Sequence, residues 1–96
     1  MKLYYAVTYL RGENWNPALP MRQQEKWDEH ASIMDALVEE GFIILGGPLD
    51  EGEKVLLIIN AESPQAIDQR LAQDPWMPMG LRRIASIERW QVLLGG

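Results

Sequence analysis

The segment from Phe42 to Ile59, FIILGGPLDEGEKVLLII, decides the fold because it contains two short runs that are apolar at every position. The runs are Phe42 to Leu45, which Gly46-Gly47-Pro48 is expected to end, and Val55 to Ile59. The pattern predicts two strands, with a turn at Asp50 to Glu53 between them. A sheet covered on only one face alternates apolar and polar residues along its strands. These strands do not alternate, so we expect both of their faces to be covered.

The residues before this segment predict a strand followed by a helix. Leu3 to Leu10 is aromatic and β-branched, which is typical of a strand. Met21 to Glu40 has no Gly or Pro and repeats apolar residues at helical spacing, and Gly41 suits the end of that helix. The Pro- and Asn-containing stretch between them, Arg11 to Pro20, is expected to be a loop of the kind that often serves a site.

The residues after the segment predict one more helix and one more strand. Ser63-Pro64 supplies a helix N-cap and first helical residue, and the helix is expected to run to about Asp74. Leu81 to Leu94 predicts the last strand, with a helix as the alternative for part of it. One side of that strand is expected to carry Ile84, Ser86, Glu88, Trp90 and Val92. The order βαββαβ predicts a ferredoxin-like α+β fold, a four-stranded antiparallel sheet with two helices on one face.

The two apolar strands also predict a second copy of the chain. The 96 residues suit a single domain, residues 1–96, and leave no segment to cover the sheet face away from the helices. An uncovered apolar face of that size promotes aggregation. We therefore expect a homodimer in which two sheets pack face to face, a dimeric α/β barrel.

Composition argues against several classes of function. The chain has no Cys, which removes disulfides, thiolate metal sites and Cys nucleophiles. Nine Lys and Arg against fourteen Asp and Glu argue against nucleic acid as a partner, because binding phosphates requires a basic face. The N-terminus lacks the apolar core of a signal peptide, and no apolar run approaches the ~20 residues that span a bilayer. We therefore expect no membrane partner and a cytoplasmic protein.

The only histidine, His30, is the first candidate for chemistry. Asp74 stands at the end of the second predicted helix, directly before Pro75, which restricts the backbone and helps to aim the carboxylate. Both helices lie on the same sheet face, so the two side chains can meet. The carboxylate then sets the imidazole tautomer and leaves the other ring nitrogen as a base. The alternatives are a hydrogen-bonded core histidine and an ordinary turn aspartate.

A set of residues in a particular order runs through nearly the whole chain. It comprises an aromatic first strand and then His30, Leu37, Gly41, Gly47-Pro48, Ser63, Asp74-Pro75, Gly80-Leu81, Ile87 and Trp90. This set resembles the YCII-related (YciI-like) family of the dimeric α/β barrel superfamily. The resemblance implies a His–Asp pair in a pocket, at His30 and Asp74, and an activity of the lyase or dehydrochlorinase type, with relatives among the muconolactone isomerases.

One position departs from the family pattern. Relatives often carry Arg three residues before the His, where this chain has Trp27. An anionic substrate then needs another cation, for which Arg22 and Arg70 are the candidates. The superfamily also contains haem-handling proteins, so haem bound through His30 is an alternative that no other residue favours.

Other residues predict the walls of a pocket. A site for a ring-shaped ligand, or alternatively core and interface packing, is expected from Trp27, Trp76, Trp90, Met77 and Met79. The segment Gly46-Gly47-Pro48 does not fit a phosphate loop and is expected to let the backbone approach a helix or ligand. Trp15 is a candidate mobile lid. Glu88 is a second acid or base if its side of the strand faces the pocket, and otherwise a surface or interface charge.

These features predict a small-molecule enzyme that transfers protons without a cofactor, by elimination or isomerisation. His30 is expected to remove a proton next to a carbonyl or ring, and Asp74 to orient the imidazole and balance its charge. No metal is expected, because no close ligand spacing such as HxxxH occurs. The alternative is a non-catalytic domain that binds a metabolite or an interaction partner. The residues expected to bind the substrate are Trp27, Trp76, Arg70, Arg22, Gly47 and Pro48.

Overall fold

The computed structural model describes residues 2–50 and 52–95. Within them the strands are β1 (Lys2–Arg11), β2 (Ile43–Leu49), β3 (Lys54–Ile59) and β4 (Arg82–Val92), and the helices are α1 (Trp27–Glu39) and α2 (Pro64–Leu71). The strands form one antiparallel sheet in the order β2-β3-β1-β4, with both helices packed on one face. The predicted βαββαβ fold is confirmed. Glu51, in the predicted turn, lies outside the described residues.

The first helix begins later than the sequence predicts. Lys26 has φ 60° and ψ 30°, a left-handed conformation that interrupts a right-handed helix. The residues before it form a separate 3-10 turn, Met21–Gln23. Gln24 holds this turn by donating its side-chain amide to two loop carbonyls at 2.7 Å and 3.0 Å. Because of the break, His30 lies in the first turn of α1.

The predicted start of the second helix is confirmed, and the predicted end of β2 is wrong. Ser63 Oγ accepts a hydrogen bond from the Ala66 N–H at 3.1 Å, as an N-cap does. The segment Gly46-Gly47-Pro48 continues β2 as far as Leu49. Pro48 is tolerated because β2 is an edge strand. The close approach of β2 to β3 favours glycine at 46, since a Cβ there would lie 2.5 Å from Leu57 Cδ2 and one of the two side chains would have to shift.

The core lies between the helices and one face of the sheet. Val7 of β1 pairs with Leu57 of β3 and with Ile87 of β4, so these three side chains share a face. They pack with the other buried residues of the same core, namely Tyr9, Leu37, Phe42, Ile43, Ile59, Ile67 and Leu71.

A β-bulge changes which residues of β4 face the helices. The pairing of β1 with β4 shifts between Thr8 and Tyr9, so that Ile84 and Ile87 both pack on the core. The prediction that Ile84 shares a side with Glu88 is therefore wrong. Glu88 pairs with Ala6 on the sheet face away from the helices.

The sheet face away from the helices, here called the open face, is apolar along β2, β3 and part of β4. It carries Leu45, Leu49, Leu56 and Trp90, of which Leu45 is 62% exposed and Trp90 45%. This is the face that a second copy of the chain is predicted to cover, and the homodimer stays a prediction. Neither of the two described helices is long and apolar enough to span a membrane.

Candidate active site

A cavity of about 230 Å³ lies between α1 and the helix-facing side of the sheet. Its walls are mainly apolar, and the edge strand contributes Gly46, Gly47 and Pro48. An apolar cavity of about 150 Å³ holds benzene, so this one has the size for a single ring with small substituents. The polar side chains that reach the cavity are Tyr9, His30, Asp35 and Arg82.

A buried His–Asp pair forms part of the cavity wall. His30 Nδ1 lies 2.9 Å and 2.8 Å from the two carboxylate oxygens of Asp74. Asp74 is fully buried, and His30 is 9% exposed. An ionised carboxylate can only accept, so Nδ1 carries the proton and donates it. Nε2 of His30 has no hydrogen-bond partner in the described part of the chain, which leaves it as the basic nitrogen.

The turn after α2 positions the carboxylate of this pair. Asp74 Oδ1 also accepts a hydrogen bond from the backbone N–H of Trp76 at 3.0 Å. The Asp74 N–H donates to the Leu71 carbonyl at 3.1 Å, and Pro75 restricts the backbone in between. Hydrogen bonds of its side chain and of its backbone thus fix Asp74, with its carboxylate directed toward His30 of α1.

The indole ring of Trp76 stacks on one face of the His30 imidazole. The rings of His30 and Trp76 stack with centroids 3.8 Å apart and planes 6° apart. Trp76 is fully buried, and its Nε1–H donates to the Glu25 carbonyl at 2.7 Å. The Trp27 ring lies 5.6 Å from His30 and 5.8 Å from Trp76. The structure therefore places Trp27 and Trp76 beside His30 in the cavity wall.

Sequence reasoning missed two buried polar side chains at the cavity, Tyr9 and Arg82. Tyr9 is 1% exposed, and its hydroxyl has no hydrogen-bond partner among the described residues. Arg82 is 2% exposed, and its hydrogen bonds are long, 3.4 Å to the Glu53 carbonyl and 3.9 Å to the Met21 sulfur. No local pattern marks Arg82, because the β-bulge determines which side of that part of β4 faces the cavity.

Burial shifts the pKa of both groups. It raises the pKa of the Tyr9 hydroxyl, the negative charge of Asp74 raises it further, and Arg82 opposes the shift. The pKa of Arg82 is lowered, mainly by burial and to a smaller extent by the positive charge of Arg11. Asp74 and Tyr9 oppose this shift. The guanidinium nevertheless stays protonated. At neutral pH the cavity therefore holds a neutral phenol beside a cation.

Trp15 is a packed residue, so its prediction as a mobile lid is wrong. It is 7% exposed and packs edge-on against Trp76 with centroids 5.6 Å apart. The loop that contains Trp15 is hydrogen-bonded to the residue directly before β4, because the Gly12 N–H donates to the Leu81 carbonyl at 2.9 Å. The Arg82 guanidinium lies 4.3 Å from the centre of the Trp15 ring. Trp15 therefore helps to hold Arg82.

The two arginines expected to bind an anion do not line the cavity. Arg70 forms an ion pair with Glu40 at 2.6 Å. Arg22 is exposed, with its guanidinium 6.0 Å from the centre of the Trp27 ring. The arginine at the cavity is Arg82 instead. Four further predicted residues lie in the core clusters or on the open face, namely Met77, Met79, Glu88 and Trp90.

The donor groups at the cavity suit a base better than a metal site. Residues 2–50 and 52–95 contain no group of three or more His, Asp or Glu side chains that could hold a metal ion. Asp74 already accepts hydrogen bonds from His30 and from the Trp76 backbone. The pair therefore presents one ring nitrogen without a hydrogen-bond partner in the described chain, at the wall of the cavity, and such a nitrogen can act as a general base.

Comparisons with known proteins bear on the fold. No protein-family model matches the chain, and no curated protein matches it. A solved structure of 5-chloro-2-hydroxyhydroquinone dehydrochlorinase from Burkholderia phenoliruptrix AC1100, in complex with 2,5-dihydroxybenzoquinone, matches with a TM-score of 0.53 and 22% sequence identity. The match covers 95% of each chain. At this identity the likeness shows that the two proteins share a fold along nearly their whole length.

Proposed function

We propose that the chain is a small-molecule enzyme that transfers a proton without a cofactor, in an elimination or isomerisation of a one-ring substrate. The observation that carries the proposal is the His30–Asp74 pair. A buried carboxylate holds one imidazole nitrogen, and the ring lines a cavity of the size of a substituted ring. An imidazole oriented in this way acts as a general base.

Each residue of the pair has a distinct role in this reaction. His30 Nε2 takes a proton from a carbon next to a carbonyl or within a ring. Asp74 is a positioning residue that keeps the proton on Nδ1 and balances the imidazolium that forms. In an elimination, the electrons of the broken C–H bond form a double bond while the leaving group departs with its own pair. In an isomerisation, the imidazolium returns the proton to another carbon. Trp27, Trp76, Gly47 and Pro48 contact the ring.

The structural neighbour and the sequence pattern support this reaction class. The neighbour is a dehydrochlorinase that binds a quinone, which is a planar single ring. The sequence resemblance rests on His30, Gly47-Pro48 and Asp74-Pro75. On this proposal residues 1–96 form a single domain of the YCII-related family, and the protein is a cytoplasmic homodimer.

The proposal is tested by removing the base. Ring lactones and halogenated hydroxy-aromatics are screened for turnover and, in D₂O, for exchange of substrate protons by NMR. We expect His30→Asn to lower the rate by about 100- to 10,000-fold, because the Asn amide donates to Asp74 but offers no base. Glu29→Gln, at an exposed neighbouring position on α1, is the control and is expected to keep the rate.

The positioning role of Asp74 has its own readout. Asp74→Asn is expected to lower kcat and leave KM nearly unchanged, because the imidazole loses its orientation but the cavity walls stay in place. Turnover by His30→Asn at the wild-type rate contradicts the proposal. Ligand binding by the wild type with neither turnover nor proton exchange favours the non-catalytic binding domain instead.

A further inference from the structure

The cavity contains a buried cation that no carboxylate neutralises within residues 2–50 and 52–95. Arg82 is 2% exposed, and its hydrogen bonds are to a carbonyl at 3.4 Å and a sulfur at 3.9 Å. The nearby carboxylate of Asp74 is occupied by His30 and by the Trp76 N–H. The guanidinium donors of Arg82 are therefore available to an anion from outside the chain. Such an anion would also offset the cost of burying an unpaired charge.

The pairing of the strands places a second cation beside the first. Arg11 and Arg82 are directly opposite each other in β1 and β4. Like charges at such positions destabilise a sheet. Nε of Arg11 is buried with no hydrogen-bond partner in the described chain, and the two guanidinium groups lie 5.0 Å and 4.3 Å from the centre of the Trp15 ring. A local arrangement that opposes stability in this way is typical of a functional site.

Tyr9 adds an unused donor to the same corner of the cavity. Its hydroxyl is buried and has no hydrogen-bond partner in the part of the chain that the structure describes. Tyr9 and Arg11 are two residues apart on β1, so their side chains lie on the same sheet face as Arg82, which is paired with Arg11. A phenol that stays protonated at neutral pH can donate a hydrogen bond to an oxygen anion.

We propose that Arg82 and Tyr9 form an oxyanion-binding site that selects planar one-ring substrates with an ionised ring oxygen, a phenolate or an enolate. This inference rests on the proposed function and names its substrate class. The cavity of about 230 Å³ admits one ring, and its mainly apolar walls suit the ring faces. The other carboxylate at the cavity, that of Asp35, belongs to an exposed residue on α1, whereas Arg82 is a buried cation, so the anion binds beside Arg82.

This placement gives the ring oxygen a role in the reaction. In the keto tautomer of such a substrate the ring oxygen is a carbonyl oxygen. When His30 takes a proton from a ring carbon conjugated to that carbonyl, the electron pair of the C–H bond forms a carbon–carbon double bond and the π pair of the carbonyl moves onto the oxygen, which becomes the enolate or phenolate. Arg82 and Tyr9 then hydrogen-bond to the oxyanion, and charge-assisted hydrogen bonds of this kind are the stronger ones. The base and the oxyanion donors thus line the same cavity.

The test measures ligand binding and needs no turnover. 4-Nitrophenol is titrated with pH in the presence and absence of the protein, and the absorbance of its phenolate reports which form is bound. We expect the phenolate to bind about tenfold to hundredfold more tightly than the phenol, so that binding lowers the apparent pKa of the ligand. Nitrobenzene, which has no ionisable oxygen, is the ligand control and is expected to bind no more tightly than the phenol.

Variants of Arg82 and Tyr9 test whether these two residues cause the preference for the phenolate over the phenol. Arg82→Gln is expected to abolish it, Arg82→Lys to retain part of it, and Tyr9→Phe to weaken it several-fold. Arg83→Gln, at an exposed adjacent position of β4, is the matched control and is expected to change nothing. Tyr9→Phe keeps the test informative if Arg82→Gln does not fold, because it removes a hydroxyl that bonds to nothing else in the described chain.

The results separate this inference from the proposed function. Equal binding of phenol and phenolate by the wild type, or an unchanged preference in folded Arg82→Gln or in Tyr9→Phe, overturns the inference. His30→Asn is expected to keep the phenolate preference while it loses proton transfer. If no substrate is turned over but the preference depends on Arg82, the proposed reaction fails and the oxyanion site stands.

Discussion

At the scale of single residues, the site contains a buried hydrogen-bonded pair, His30 and Asp74, and a buried hydroxyl without a hydrogen-bond partner in the described chain, that of Tyr9. His30 and Asp74 satisfy each other at 2.8 Å inside the protein. The Tyr9 hydroxyl is equally buried and has no partner in the described chain. Burying a hydroxyl without a hydrogen bond lowers stability. The hydroxyl of Tyr9, unlike its ring, therefore opposes folding, in keeping with a donor that a ligand would use.

Tyr9→Phe is expected to raise the free energy of unfolding by about 1 kcal/mol, because it removes a buried donor that has no acceptor. Urea denaturation at one fixed pH measures the change. Tyr4→Phe, at a half-buried position on the open face, is the control and is expected to change it by less than about 0.5 kcal/mol. A loss of stability on Tyr9→Phe would show that the hydroxyl has a protein partner in solution.

At the scale of elements, the edge strand β2 forms one wall of the cavity. It runs through two glycines and a proline as far as Leu49. Gly46 touches β3 closely, whereas Gly47 has nothing within 4 Å of the place where a Cβ would be. The two neighbouring glycines therefore differ in what they tolerate, although both line the cavity.

Gly46→Ala is expected to lower the free energy of unfolding by about 1–3 kcal/mol, since the new Cβ would meet Leu57, which is buried and cannot move aside freely. Gly47→Ala is the matched control and is expected to be neutral or slightly stabilising. Chemical denaturation of both variants under the same conditions checks the pair. Equal stability of the two would mean that β2 lies further from β3 than described.

At the scale of the whole molecule, the open face has an apolar surface whose proposed cover is a second copy. Leu45 is 62% exposed and Leu49 42%, and both lie on the face away from the core. Exposed apolar patches on soluble proteins commonly mark interaction sites. On the proposal of a homodimer, the second copy would cover this face and account for the apolar residues on both sides of the strands.

We expect light scattering to show a particle of twice the 11.0 kDa chain mass at micromolar concentration. Leu45→Asp is expected to shift the particle to the mass of one chain, because a carboxylate on the open face would be buried between two sheets. Leu19→Asp, at an exposed apolar position in the loop before α1, is the control and is expected to leave the mass unchanged. A wild-type particle with the mass of one chain contradicts the homodimer.

The sequence by itself determined the elements, their order, the N-cap at Ser63 and the candidate pair of His30 and Asp74. These follow from local signals: apolar runs, helical spacing, capping residues, and an Asp-Pro turn that aims a carboxylate. The tertiary structure alone decided the late start of α1 at Trp27, the path of β2 through its glycines, and the cationic corner of the cavity. The cationic part of the cavity depends on a β-bulge in the pairing of β1 with β4, two strands about 75 residues apart in the chain. The bulge places Arg82, paired with Arg11, on the side of the sheet that faces the helices. Such long-range pairing leaves no mark on the neighbouring residues, so the arginine at the cavity is visible only in the folded chain.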